Sequence, residues 1–280
     1  MKIGRFNVSS VRTGSLGLDG GAMFGVVPKA IWNKTNPADE MNRIDLATRS
    51  LLIEVDDRKL LVDTGMGDKW PDKYKEMYKV ADSTIDDSLA KLGLKKTDIT
   101  DVILTHLHFD HTGGSTVYNG DQIVETFPNA TYYCSRKNWE WANHPTEKDK
   151  ASYLTENFLP LYERKKLTIL DNLSELGIDG ISSIESNGHT IGMWLLKLSD
   201  ADQTIAYCAD MIPTSSHIPV PFVMGYDLYP MTTIEEKKQI LQQAVTENWI
   251  LFFEHDINYD AAYIELGEKG YRMKSAVSLN

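Results

Sequence analysis

Between Thr105 and Gly114 the chain reads Thr-His-Leu-His-Phe-Asp-His-Thr-Gly-Gly, which packs three histidines and an aspartate into positions 106–111. Imidazole and carboxylate together are ligands for zinc-like divalent metals. The order matters as much as the count. In an extended or turning chain His106 and His108 share a face, so both can converge on one metal. Asp110 and His111 are then turned toward a second position a few Å away. The plain alternative is a polar loop that happens to be rich in histidine. The chain holds only 7 histidines, however, and three of them lie here. A metal centre is the expectation.

Three further residues complete it. Ile181 to Ile184 leads toward His189, Ile205-Ala206-Tyr207-Cys208 runs into Asp210, and Trp249 to Phe253 runs into His255. Each follows a short apolar, β-prone run, where a strand end presents it at one rim of a sheet. Taken singly, each reads as a cap or a satisfied core histidine. In the order His, Asp, His behind the hexad they close two coordination spheres, with a water as the remaining bridge. Two dications a few Å apart repel, so a carboxylate and a hydroxide are favoured between them. Water bound to such a metal loses its proton near about pH 7, against about 15.7 in bulk, and becomes a nucleophile.

The elements that must position these residues follow from the pattern. Strands are expected over Ile3–Val11, Leu51–Val55, Lys59–Asp63, Asp101–Leu104, Thr131–Cys134 and Trp249–Phe253, with a strand-rich stretch over Ile181–Cys208. Ser83 is a candidate N-cap for a helix to Leu92, whose Ile85, Leu89 and Leu92 form one stripe. Further helices are expected over Ser135–Asn143, Ser152–Lys165 and Thr233–Thr246. Asp63, before Thr64-Gly65, reads as an acceptor that orients a ligating histidine or as a turn residue. No repeat, low-complexity tract or linker divides the chain, so residues 1–280 are read as a single unit. Strands and helices in two halves say α/β or α+β, with no finer choice from periodicity.

Composition narrows the function classes. A hydrophobic share of 42% with 25% charged residues fits a globule with a sizeable core. The net charge of −11 disfavours a nucleic-acid partner, whose phosphates need a positive surface. No apolar run approaches the roughly 20 residues that cross a bilayer, and the first residues lack the apolar core of a secretory signal. Cys134 and Cys208 are too few for a disulfide framework and read as reduced thiols of a cytoplasmic protein.

The order His106-x-His108-x-Asp110-His111, then His189, Asp210 and His255, resembles the metallo-β-lactamase superfamily of binuclear hydrolases. Within it, Asp19–Lys29, the hexad with Thr112-Gly113-Gly114, and Met224–Pro230 are similar to the quorum-quenching N-acyl-homoserine lactonase branch and its methyl-parathion-hydrolase-like relatives. The resemblance implies a four-layer αββα sandwich and two divalent metal ions. Zinc is the default, and Mn, Fe or Co suit the same ligands. It implies His106, His108 and His189 on one metal, Asp110, His111 and His255 on the other, and Asp210 as bridge. The implied reaction is the opening of a lactone, most simply an N-acyl-homoserine lactone, by a metal-bridging hydroxide, with Asp110 as proton shuttle. The partner is then a small-molecule ester or lactone. A homodimer is weakly favoured by the resemblance and by the apolar Met23–Val27 segment.

Departures from relatives shape the alternatives. Asp210 stands where β-lactam hydrolases use Cys, and His108 where the di-iron oxygen-reducing branch carries Glu. Ile191 and Met193 replace the Pro and second His of the glyoxalase II pattern. Pro213 stands where several lactonases place a Tyr that hydrogen-bonds the lactone carbonyl. That last departure favours an arylesterase or organophosphate hydrolase as the alternative, and leaves His217, as a catalytic residue, and Tyr226 as candidate donors, Tyr226 reading more as core. Met23, Phe24, Trp139, Phe222 and Met224 are the expected apolar pocket. A binding protein that has lost turnover is a further alternative, disfavoured by the complete ligand set.

Overall fold

Leu51, Leu52 and Ile53 are consecutive, so the pleat sends them alternately to opposite faces of one sheet. Leu51 and Ile53 join Leu60, Val62 and Ile103 in a core shared with Leu196, Ile205 and Tyr207. Leu52, Leu61 and Val102 face the other way, onto Leu89, Ala142 and Leu161. A sheet apolar on both faces must be covered on both.

The computed structural model describes residues 1–279. Its strands are β1 (Lys2–Ile3), β2 (Phe6–Asp19), β3 (Arg43–Val55), β4 (Arg58–Val62), β5 (Asp101–Ile103), β6 (Thr116–Asn119), β7 (Gln122–Glu125), β8 (Thr131–Ser135), β9 (Leu167–Leu170), β10 (Ile181–Ser186), β11 (Met193–Asp200), β12 (Gln203–Tyr207), β13 (Ile250–Phe252), β14 (Ala261–Gly267) and β15 (Gly270–Val277). One sheet runs β1-β2-β3-β4-β5-β8-β9 and the second runs β10 through β15, while β6 and β7 form a separate hairpin. Helices Ile85–Lys91, Arg136–Asn143 and Leu159–Glu163 cover the outer face of the first sheet. Helix Pro230–Thr246 packs Ile240, Leu241 and Ala244 against the second. The layers are the expected αββα.

Parallel pairing sets the place of the site. Strands β4, β5, β8 and β9 are parallel neighbours, as are β12 and β13. Their carboxyl ends therefore emerge at one rim, where ligands of open α/β sheets collect. Asp63 leaves β4 there, the hexad leaves β5, Asp210 leaves β12 and His255 leaves β13.

Several elements differ from expectation for identifiable reasons. Strands β2 and β3 are much longer than the apolar runs, because polar residues of β3 are buried with partners. Arg49 donates to the carbonyls of Phe253 (2.9 Å) and Asp256 (2.8 Å) and pairs with Asp260 at 2.9 Å. The helix expected from Ser83 starts at Ile85, since Thr84 turns its hydroxyl to the carbonyl of Arg12 instead of capping. Ser152–Lys165 is not one helix. It breaks into short 3₁₀ turns at Lys150–Ser152 and Thr155–Asn157 before helix Leu159–Glu163. Pro160 in the first turn of that helix can start it, but cannot sit inside a longer one. Strands β6, β7, β9, β14 and β15 carried no recognised pattern.

Cys134 and Cys208 are both buried and unpaired. Of the Met23–Val27 segment, Met23 and Phe24 are spent inside the chain's own core, and only Val26 is fully exposed. No helix among the described residues is long and apolar enough to cross a membrane.

Candidate metal centre

The hexad leaves β5 on a backbone held from three sides. Trp194 N donates to Thr105 O (2.9 Å), Asn138 Oδ1 accepts from Leu107 N (2.8 Å), and Thr64 N donates to His111 O (2.8 Å). Gly113 and Gly114 then lie directly on the Thr64–Met66 backbone. A Cβ at either would collide with a carbonyl oxygen of that loop. Asp63 (φ 58°) and Ala209 (φ 44°), beside two of the site's turns, are both in the left-handed region that non-glycine residues rarely adopt.

These turns bring all seven predicted ligands together. His106, His108, His189 and Asp210 form one group whose donor atoms lie within 4.8 Å of one another, and Asp110, His111, Asp210 and His255 form a second. Asp210 belongs to both. Its Oδ2 lies 3.2 Å from His189 Nε2, and its Oδ1 lies 3.4 Å from His111 Nε2 and 3.2 Å from His255 Nε2. Asp110 sits 3.9 Å from His111 Nε2 and 3.7 Å from His255 Nε2.

The outer nitrogens decide which lone pairs point inward. His189 Nδ1 donates to Asp227 Oδ1 (2.9 Å), His255 Nδ1 to Ala47 O (2.8 Å) and His111 Nδ1 to Asp63 Oδ2 (2.9 Å). A histidine whose one nitrogen carries the proton outward keeps the other as a bare donor pair. Asp63 is itself fixed by Thr105 N (2.8 Å) and Thr105 Oγ1 (2.7 Å). Glu254 Oε2 also approaches His111 Nδ1 at 2.9 Å and accepts from the Tyr207 hydroxyl at 2.5 Å. Burial, with Asp63 beside it, pushes Glu254 up to about 7.

The donor set fits a pair of divalent cations. His108 Nδ1 faces His106 Nε2 at 3.1 Å and His189 Nε2 at 3.2 Å, an arrangement of lone pairs that a cation reconciles. Asp210 Oδ1 is buried and makes no hydrogen bond. Burial, then the imidazoles of His111, His108 and His189, keeps His106 well below the usual histidine range, so it is neutral and ready to ligate. Burial opposes charge on His255 as well, yet Asp210, Glu254 and Asp110 push it up to about 9. The carboxylates, in other words, demand positive charge at the centre of the cluster.

The cluster floors a cavity of about 260 Å³ whose walls include Leu18, Met23, Leu46, Phe109, Met224 and Tyr226. Met23 and Met224 are thus where the apolar pocket was expected. Phe24, Trp139 and Phe222 are not. Phe24 is sealed between Trp32 and His217, Trp139 packs on Phe158 and Tyr162, and Phe222 meets the edge of Phe24. His217 does not reach the cavity either. It is fully buried, with Nδ1 bonded to Thr214 Oγ1 (2.8 Å) and Nε2 donating to Met23 O (2.8 Å), so both nitrogens fix loops. Tyr226, expected in the core, is instead 38% exposed and lines the cavity. Its loop is held by Lys148, which donates to the carbonyls of Gly225, Tyr226 and Asp227. Asp227 and Glu254 went unrecognised in the sequence. Their only signals are adjacency, to Tyr226 in the Met224–Pro230 segment and to His255.

Residues 43–255 match the model of the metallo-beta-lactamase superfamily. The chain belongs to that superfamily. A probable metal-dependent hydrolase from Staphylococcus aureus superposes with a TM-score of 0.90 at 31% identity, over 99% of this chain and 98% of the other. An N-acyl homoserine lactonase from Bacillus sp. is 28% identical over 232 residues, 78% of this chain and 84% of the relative. A dizinc quorum-quenching lactonase, AidC, solved with its product, shares the fold at a TM-score of 0.83 and 21% identity, over 100% of this chain and 97% of the other. The chain is a metal-dependent hydrolase of the metallo-beta-lactamase superfamily.

Proposed function

We propose that this hydrolase opens the ring of N-acyl-homoserine lactones at a two-metal centre. His106, His108 and His189 would hold one metal and Asp110, His111 and His255 the other, with Asp210 common to both groups. The observation that carries this reading is the single carboxylate of Asp210 shared by two four-donor groups beneath an apolar cavity. The curated lactonase relatives support the substrate class. Zinc suits the nitrogen and oxygen donors, as do manganese, iron and cobalt.

When bound, two divalent cations supply a Lewis-acid centre that acidifies water and stabilises a developing oxyanion. The chain's own residues do the rest. Asp110 faces the cavity beside His255 and His111, placed to take the proton of the attacking water and return it to the leaving alkoxide. Water thereby adds across the acyl C–O bond, which breaks to leave an alcohol and a carboxylic acid, and the acid's proton passes to solvent to give the carboxylate. Leu18, Leu46 and Met224 exclude bulk water from the reacting ring.

Tyr226 takes the place of the donor that Pro213 cannot be, holding the lactone carbonyl oxygen. Tyr226→Phe is expected to lower kcat/KM for N-hexanoyl-homoserine lactone roughly tenfold while leaving the melting temperature unchanged. An unaltered kcat/KM would remove Tyr226 from the reading.

Pro213 is also the feature that favours a second reading, an arylesterase or organophosphate hydrolase on the same scaffold. Its carbonyl accepts from His255 N (3.0 Å), so it serves the ligand loop and offers substrate no donor. Turnover of C6 and C12 homoserine lactones, p-nitrophenyl esters and an aryl phosphotriester by the metal-loaded protein separates the two. Rapid ester or triester cleavage without ring opening rejects the lactonase.

A further inference from the structure

A second cavity, of about 490 Å³, adjoins the first and shares Tyr78, Phe109 and Ala151 with it. Phe109 stands inside the hexad, between His108 and Asp110, so the shared wall begins at the metal cluster itself. Most of the second cavity is aromatic or apolar, from Met66, Trp70, Tyr74 and Tyr153 among others. Trp70 and Tyr78 both pack on Phe109, at 5.2 and 5.5 Å between ring centroids. Its cation is already engaged, because Lys69 donates to the carbonyls of Gly113 and Thr116.

Lys69, Thr155, Glu156 and Asn157 interrupt the apolar lining, and of these only Asn157 is buried. Asn157 is 2% exposed, and its Nδ2 is enclosed without a hydrogen-bond acceptor. An enclosed amide N–H with no partner is destabilising, and protein interiors rarely tolerate it without a compensating role. Rotation of the amide about its last torsion exchanges nitrogen and oxygen, so Asn157 can present either a donor or an acceptor to the cavity. Aliphatic side chains fill an apolar cavity at less cost. An amide here is explained by a ligand that brings its own neutral polar group.

We propose that Asn157 is a specificity-determining residue that reads a neutral hydrogen-bonding group, such as an amide, on an apolar substrate arm lying across Phe109 into the second cavity. The inference rests on the lactonase reading for its natural substrate, but not for its geometry. Substrates with a plain alkyl arm fill the same space and leave Asn157 unpaired. Sites built to bond a polar substrate group discriminate against analogues that lack it. An anionic group is not expected, because Glu156 lines the cavity and Lys69, its cation, is already engaged.

The test is a ratio. N-hexanoyl-homoserine lactone and an alkyl γ-lactone of matched length are compared as substrates of the metal-loaded wild type and Asn157→Leu, which keeps the branched shape and removes both polar atoms. The kcat/KM of the amide substrate relative to the alkyl one is expected to fall about tenfold in the variant. Asn157→Ala serves if the leucine variant fails to fold. An unchanged ratio, whatever the absolute rates, overturns the proposal and leaves Asn157 a structural residue. If the wild type opens neither lactone, the lactonase reading fails on its own. The same ratio is then read from p-nitrophenyl esters of an N-acylated and an alkyl chain, with the same two outcomes deciding Asn157.

Discussion

Asp210→Asn should lose metal from both positions at once, and with it about 4 kcal/mol of transition-state stabilisation, roughly 10³-fold in kcat/KM. The expectation follows from the shared carboxylate. Its Oδ2 faces His189 while its Oδ1 faces His111 and His255. The asparagine keeps size and one oxygen but drops the negative charge that lies between two cations. Although burial opposes its ionisation, His111, His189 and His255 hold the Asp210 carboxyl well below the usual carboxylate range. Metal content of the purified variant, measured beside kcat/KM, checks this. A variant that keeps two metals, or loses only one, would show that Asp210 does not join the two groups. Retained activity would place the chemistry elsewhere.

Asp63→Ala is the second large effect, and it acts through His111. Asp63 is fully buried and accepts from Thr105 N, Thr105 Oγ1 and His111 Nδ1. Its loss leaves His111 Nδ1 with Glu254 as its one remaining acceptor and strands two donors of Thr105. Removal of such an orienting acceptor lowers metal affinity about 10–100-fold. The expected signature is selective. Affinity for the metal at Asp110, His111 and His255 falls, and much of kcat returns at saturating metal. Asp63→Asn, whose amide oxygen can still accept, should lie between wild type and alanine. Equal metal affinity in all three forms would make Asp63 a turn residue alone. Loss of kcat that no metal concentration restores would point to a folding defect.

Metal chemistry explains how much of this site was legible. Ligands to zinc-like ions come from few residue types, and a rigid site takes them from strand ends, so His189, Asp210 and His255 stood out behind apolar runs. The hexad needed only its spacing. Asp63 was readable for the same reason, being an acid at the end of β4. Asp227 and Glu254 were not, because an acid whose partner is a distant imidazole carries no local signature. His217 misled through its chemistry, since a histidine near the absent tyrosine looks available until both nitrogens are seen to be committed to Thr214 and Met23. Tyr226 misled in the opposite sense. Its loop is held by Lys148, which donates to the carbonyls on either side of it, a contact with no local signature.

The fold was legible wherever burial and periodicity agreed. Strand β3 was half hidden, because Thr48, Arg49 and Ser50 are buried polar residues whose partners lie on other elements. Hairpin β14–β15 is largely half-buried or exposed along its last strand, which leaves little apolar alternation to read. The stretch 152–165 looked helical by composition, and Pro160 set the real boundary.

Stripping the purified protein with a chelator and titrating zinc back, with lactone turnover followed at each addition, asks the decisive question. Activity should vanish in the stripped form and return in step with two equivalents of metal per chain. Full turnover by the stripped protein, or saturation at a single equivalent, would contradict a two-metal centre bridged by Asp210.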